Sequence, residues 1–287
     1  MKVGLVLEGG AMRGMFTAGV LDAMMEEKIN VDGIMGVSAG ALFGANYFSN
    51  QKGRVIRYSK RFAKDRRYIS LFNLIFTGNI VSKNFAYYKM NEKLDPFDTK
   101  TFKENNKNFW AVVTNIETGK PEYLKIEEPL KDMEIFRATS AMPLVTKPVV
   151  INGQKYLDGA VSDSIPIKKM MEKGYDKIVV VLTRPLNYQK NKLSDKKINM
   201  IHRKFQKYPN LINAMENRYQ NYNETTQLIK KLENENKIFV IRPQHSIDVK
   251  VIERDKDKLQ NVYDMGIEEM KKNLQKLKEY LEIGKED

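Results

Sequence analysis

Residues 36–40 read Gly36-Val37-Ser38-Ala39-Gly40, a G-x-S-x-G pattern. In such a pattern the serine occupies a strained strand-to-helix turn that presents its hydroxyl and tolerates only small neighbours. Gly36 and Gly40 would remove Cβ clashes at that bend, and the N-terminus of the following helix would bring partial positive charge to an oxyanion formed at Ser38. The chemistry implied is nucleophilic acyl transfer. An ordinary glycine-containing turn carries the same residues, so the surrounding elements have to decide.

A serine hydroxyl needs a proton acceptor and its tetrahedral intermediate needs donors. For donors, Gly9-Gly10-Ala11-Met12-Arg13-Gly14 offers consecutive small residues whose backbone N–H groups can point into one concavity. A dinucleotide fingerprint is disfavoured because Ala11 stands where its second glycine belongs, and Asp32 precedes the second strand instead of ending it. A phosphate-binding P-loop would need a closing Gly-Lys-Ser/Thr, which is absent. Arg13 could hold the loop or attract a phosphate head group.

For the base, there are two histidines, His202 and His245, and no cysteine. His202 precedes Arg203-Lys204, whose cations depress imidazole basicity, and His245 lies between Gln244 and Ser246 in a loop-like stretch. Both read as surface residues. Asp158-Gly159-Ala160 is the better candidate: an aspartate with no adjacent charge, set against small residues, gains basicity on desolvation. The same tripeptide also makes a plain Asp-Gly turn.

The elements needed to position these groups are visible as hydrophobic patterns. Lys2–Leu7 reads as a buried strand, Met15–Glu27 as a helix, Ile34–Val37 as a second strand and Ala39–Phe48 as a second helix. That alternation predicts an α/β fold with a parallel sheet and right-handed crossovers. Phe109–Ile116 and Tyr123–Ile126 predict an antiparallel pair, Ile167–Gly174 a helix, Lys177–Leu182 and Lys237–Ile241 strands, and Asp257–Leu281 a long amphipathic helix. After Pro185 the texture turns Asn/Lys/Gln-rich and mostly helical. The expected organisation is a catalytic α/β domain over 1–185 and a mostly helical C-terminal extension over 186–287 packed on it.

Composition is globular, with 42% hydrophobic and 30% charged residues. The apolar run after Lys2 stops at Glu8, too short for a signal peptide. The uncharged stretch Gly33–Gln51 is too glycine-rich and polar to span a bilayer. Together these predict a cytoplasmic location. The net charge of +13 is concentrated: residues 52–67 hold eight basic residues and one acidic. As a helix this segment sets Val55, Ile56, Phe62 and Ala63 against Arg54, Arg57, Lys60, Arg61 and Lys64, and an apolar stretch containing Phe72 and Phe76 follows. Arg54, Arg57, Lys60, Arg61, Phe72 and Phe76 are therefore candidates for peripheral contact with an anionic membrane at its inner face. The competing reading is a helix packed on the sheet with solvated cations. Nucleic acid is disfavoured because no polar base-readers interleave with the basic residues.

Glycine loop, serine elbow and aspartate block, in this order, resemble the patatin-like phospholipase family. Ala138-Thr139-Ser140-Ala141-Met142-Pro143 and Pro148-Val149 are similar to that family's segment before the aspartate. The resemblance covers about 1–185. Tyr208-Pro209-Asn210 and Arg218–Tyr222 are similar to a bacterial branch of patatin-like proteins. It implies a three-layer α/β sandwich with a mainly parallel central sheet, and a lipid acyl hydrolase of phospholipase A or lysophospholipase type. On it, Ser38 attacks the ester, Asp158 accepts its proton without a histidine, and amides around Gly9, Gly10 and Ala11 bind the oxyanion. No metal or cofactor is implied, the partner is a phospholipid or lysophospholipid substrate, and no oligomeric state follows. Rival functions are a soluble carboxylesterase or thioesterase with the same dyad, and an idle anionic-lipid-binding module. One residue departs from the pattern: Ala11 stands where a third glycine is common.

Overall fold

A computed structural model describes residues 1–65, 67, 78–79 and 81–283. Eight strands form one sheet: β1 (Val3–Leu7), β2 (Gly33–Val37), β3 (Asn108–Asn115), β4 (Pro121–Lys125), β5 (Val149–Ile151), β6 (Gln154–Asp158), β7 (Lys177–Val181) and β8 (Phe239–Ile241). The order is β5-β6-β3-β2-β1-β7-β8, with β4 also paired to β3. Pairings among β3, β2, β1, β7 and β8 are parallel, and those of β4, β5 and β6 are antiparallel.

The central strands are apolar on both sides because both sides are covered. Leu5, Leu7, Ile34, Val179 and Val181 enter one core, while Val6, Met35, Val37, Ile178 and Val180 enter another. This period-two division is what a sheet between two helical layers requires. The first core takes α1 (Met15–Glu26), α2 (Ala39–Phe48), α3 (Arg54–Phe62) and α9 (Lys256–Tyr280). The second takes α6 (Ile167–Glu172) and the middle and end of α8 (Pro209–Asn234). A third core beside β5 and β6 joins α5 (Met133–Thr139), α7 (Asp195–Phe205) and the start of α8. A π-helix over Lys83–Leu94 and the short α4 (Thr99–Glu104) complete the layer around α3.

The C-terminal region extends the sheet as well as covering it. β8 pairs in parallel with β7, matching Val180 to Val240, and α9 lies along α1. No helix among the described residues is long and apolar enough to cross a membrane.

The basic helix needs one correction. Val55, Ile56 and Phe62 face the core as expected, but Arg54 is buried with them, only 1% exposed. A cation goes inside when its donors are matched, and these are: to Asn46 Oδ1 and Asn91 Oδ1 at 2.8 Å each, and to Asp95 through both its carbonyl and its carboxylate. Arg54 is therefore not a membrane contact. Arg57 and Arg61 are exposed and Lys60 half-buried, yet each is tied down, to the Asp95 carboxylate, Leu94 O and Gln260 Oε1 respectively. Phe72 and Phe76 lie outside the described residues.

Candidate active site

Ser38 lies where β2 ends and α2 begins, with φ 54° and ψ −122°. A non-glycine residue there stores roughly 1–3 kcal/mol of strain, which persists only if neighbours hold it. Two close approaches do so. A Cβ on Gly36 would come within 2.6 Å of the Ala41 backbone, and one on Gly40 within 2.6 Å of Leu7 O. The N–H of Ser38 donates to Thr139 Oγ1 at 2.9 Å, and Thr139 Oγ1 donates to Val112 O at 2.6 Å. A threonine at the end of α5 thereby ties the turn to the neighbouring strand.

Strand register brings the aspartate to the same place. Val37, the residue before the serine, pairs with Val112, and Asp158, the last residue of β6, pairs with Val113. Asp158 is 5% exposed and lies beside the Ser38 hydroxyl. One carboxylate oxygen accepts the Ala160 N–H at 2.9 Å, and the Asp158 carbonyl accepts Thr114 Oγ1 at 2.8 Å. Gly159 follows because a Cβ there would lie 2.2 Å from Val112 O. Burial raises the Asp158 carboxyl above the ordinary aspartate range, against the opposing pull of the Ala160 amide, the Arg218 charge and the Ser38 hydroxyl. The result is a more basic carboxylate beside a serine.

Gly9, Gly10, Ala11, Arg13 and Gly14 form the loop between β1 and α1, closed by one tight turn in which Arg13 N–H donates to Gly10 O at 3.1 Å. Gly9 lies against the Ser38 side chain, and Gly14 against Ala39 at the start of α2. The N–H groups of Gly9, Gly10 and Ala11 donate no backbone bond among the described residues. Ala11 takes φ 47°, a left-handed conformation that glycine adopts without penalty. Arg13 interacts electrostatically with Arg184, Glu8, Tyr188 and Tyr222.

A cavity of about 150 Å³ opens beside Ser38, walled by Met12, Leu42, Phe43, Met90, Met133 and Phe136. Its polar portion is Asn46, Arg54 and Asn91, the buried arginine cluster. His202 is exposed and bonded to Glu216 at 2.8 Å, and His245 is exposed, so neither histidine reaches buried Ser38 or Asp158. The fold brings Ser38, Asp158 and the glycine loop together, and the sequence gives no role at the site to the residues that surround them. Thr139 and Arg218 stood within family-like segments without a role, Arg54 was read as a membrane contact, and Thr114 carried no local signal.

A family model described as patatin-like phospholipase matches residues 5–171, and one described as a domain of unknown function (DUF6363) matches 208–282. The uncharacterised Escherichia coli protein YjjU is 28% identical over 86% of this chain and 70% of its own length. Lysophospholipases NTE1 of Scheffersomyces stipitis and nte1 of Aspergillus fumigatus are 29% and 31% identical over 62% of this chain, which spans only 11% and 12% of their lengths. The crystal structure of VipD from Legionella pneumophila aligns with 94% of this chain and 67% of that one, at 14% identity and a TM-score of 0.42. With the patatin-like model matched across more than half its residues, from β1 through the serine elbow to the helix after the aspartate, this chain belongs to the patatin-like phospholipase family.

Proposed function

We propose that the chain hydrolyses carboxylic esters of phospholipids or lysophospholipids through an acyl-enzyme on Ser38, with Asp158 as general base. The observation that carries this reading is the Ser38 side chain set beside a buried aspartate at the wall of an apolar cavity. Asp158 takes the hydroxyl proton as Ser38 Oγ attacks the ester carbonyl. The N–H groups of Gly9, Gly10 and Ala11 receive the oxyanion, each donor being worth about 3–4 kcal/mol of barrier. Protonated Asp158 returns the proton to the leaving alcohol, and water then repeats the cycle on the acyl-enzyme. The acyl chain occupies the cavity between α2, α5 and the π-helix.

On this reading residues 1–185 carry the chemistry, and 186–287 form the mostly helical extension that completes the sheet. The enzyme works in the cytoplasm at a membrane surface, where the exposed Arg57 and Arg61 face anionic lipid. The lysophospholipase names of the fungal relatives support the substrate class. The test is Ser38→Ala assayed on lysophosphatidylcholine and on p-nitrophenyl esters of increasing chain length. Loss of turnover on both, with long chains preferred by the unaltered protein, is expected. Unchanged turnover in Ser38→Ala overturns the assignment.

A further inference from the structure

On the other side of the glycine loop, four cations gather around one carboxylate. Glu8, at the carboxyl end of β1, is 2% exposed, and both its oxygens are engaged: one accepts Thr183 N–H at 2.5 Å and Thr183 Oγ1 at 3.1 Å, the other Tyr222 OH at 2.8 Å. Arg13 of the loop, Arg184 after β7, Lys190, and Arg218 on α8 interact electrostatically around it. None of the four forms an ion pair among the described residues. The Nε atoms of Arg13 and Arg218 are both buried without a hydrogen-bond partner.

Aromatic rings hold the arrangement in place. Tyr188 and Tyr222 meet edge to face at 5.9 Å, Arg184 stacks on Tyr188 at 4.2 Å, and Lys190 sits over Tyr222 at 4.6 Å. The backbone of Lys190 is clamped to α8 by a reciprocal pair with Asn223, at 2.8 and 3.1 Å. Four preorganised cations facing one already saturated carboxylate, with two guanidinium Nε–H groups unmet, lack a compact anion. Burial, with repulsion from Arg218, Arg13 and Arg184, holds Lys190 down to about 8. The location suits a ligand, since it lies over the carboxyl ends of adjacent parallel strands. It also borders the dyad, because Arg218 acts on both Lys190 and Asp158, and Thr183 packs against Gly10.

We propose that Arg184, Lys190 and Arg218, with Arg13, form a binding site for a phosphate group beside the acyl-transfer centre. Arg184, Lys190 and Arg218 lie beyond residue 171, outside the stretch matched by the patatin-like model. What the phosphate is attached to rests on the acyl-hydrolase reading: it is either the head group of the substrate or a free phosphate that occupies the site during turnover.

Two measurements test this. The first needs no hydrolysis: inorganic phosphate titrated into the Ser38→Ala protein should raise its Tm, and Arg184→Gln/Lys190→Gln in that background should remove the rise. Arg184→Lys, which keeps the charge, should retain part of it. The second is the ratio of kcat/KM for lysophosphatidic acid to that for the monoacylglycerol of the same chain, a ratio that should fall about tenfold in the double variant. Phosphate binding with a fallen ratio identifies the head group, and phosphate binding with an unchanged ratio identifies free phosphate. No phosphate effect on Tm together with an unchanged ratio overturns the site. Absence of any esterase activity would sink the acyl-hydrolase reading while leaving the first measurement decisive. If the double variant misfolds, Lys190→Gln alone replaces it.

Discussion

The backbone N–H of Ser38 donates to the hydroxyl of Thr139 at 2.9 Å, across 101 residues of sequence. Because the Thr139 hydroxyl in turn donates to Val112 O, the strained turn is anchored to β3 by a side chain outside the proposed Ser38–Asp158 pair. Thr139→Val keeps the shape and removes both bonds. Losing about 1–2 kcal/mol of positioning should lower kcat about 5- to 30-fold with little change in KM. The check is steady-state kinetics on a chromogenic ester alongside the rate of fluorophosphonate labelling, and a purely structural role would leave kcat untouched once the protein is folded.

Asp158 predicts opposite pH trends for activity and stability. As a base it must be ionised, so kcat/KM should fall on acidification along a limb whose midpoint lies above the ordinary aspartate value. For stability, a carboxyl with its folded pKa raised above the unfolded one contributes stability that is fully present below the unfolded pKa and lost as pH rises through the folded pKa. Asp158→Asn escapes that loss. Its Tm advantage over the unaltered protein should grow with pH while activity stays abolished throughout, and an advantage that shrank with rising pH would contradict the assignment.

Ser38, Asp158 and the glycine loop could be read from sequence because each depends on small residues within a few positions of itself. The buried strands and α1, α2 and α9 were readable for a similar reason, since apolar periodicity is local. The π-helix over Lys83–Leu94 was not, because its aromatic, lysine and asparagine residues follow no apolar repeat of period 3.6. Arg54 was misplaced because a helical pattern sorts side chains by polarity, whereas its environment is made by Asn46 of α2 and by Asn91 and Asp95 of the π-helix and its cap. The cation cluster escaped notice for the same reason: Arg13, Arg184, Lys190 and Arg218 meet only when β7 returns beside β1 and α8 crosses above them.

Ala11 isolates the effect of a methyl group in the oxyanion loop. At φ 47° an alanine carries about 1–2 kcal/mol of strain that glycine avoids, partly offset by the greater unfolded-state freedom of glycine. Ala11→Gly should therefore change stability by less than about 1 kcal/mol. The amide donor is unchanged, so kcat should stay within about twofold, since one bond's partial realignment is worth only a few tenths of a kcal/mol. Ala11→Val, with a branched side chain at positive φ, should lose most activity. Denaturant titration and ester kinetics on the pair test both statements.

Arg54 and Arg57 share Asp95, yet the two should differ sharply on truncation. Arg54 is 1% exposed and Arg57 is 56% exposed, while Asp95 is 7% exposed. Removing Arg54 leaves the Asp95 carbonyl and two asparagine oxygens without their buried donor, and Arg57 alone on the carboxylate, a loss of about 3–5 kcal/mol. Arg57→Ala removes a largely solvated partner and should cost about 1 kcal/mol or less. Chemical denaturation would show equal losses if the two arginines were equivalent surface cations. In a vesicle-binding assay, Arg57→Ala should weaken attachment to anionic lipid, as the membrane-facing reading of this helix requires.

The glycine loop depends on a helix crossing more than 240 residues away in sequence. α1, which begins at Met15 directly after the glycine loop, crosses α9 where Gly19 meets Gly266. A Cβ at Gly19 would lie 2.0 Å from Tyr263 O, and one at Gly266 would lie 2.1 Å from Phe16 O. Both obstacles are backbone atoms, so neither can move aside without shifting a helix. The same crossing is tied by Tyr263 OH donating to Asp22 at 2.7 Å. Gly266→Ala therefore forces the helices apart, at about 2–3 kcal/mol and a Tm loss of about 4–12 °C. Because α1 carries the loop that faces Ser38, turnover should fall as well, and more than in Glu268→Ala on the exposed side of α9. If Gly266→Ala were neutral in both measurements, α9 would not be setting the position of α1.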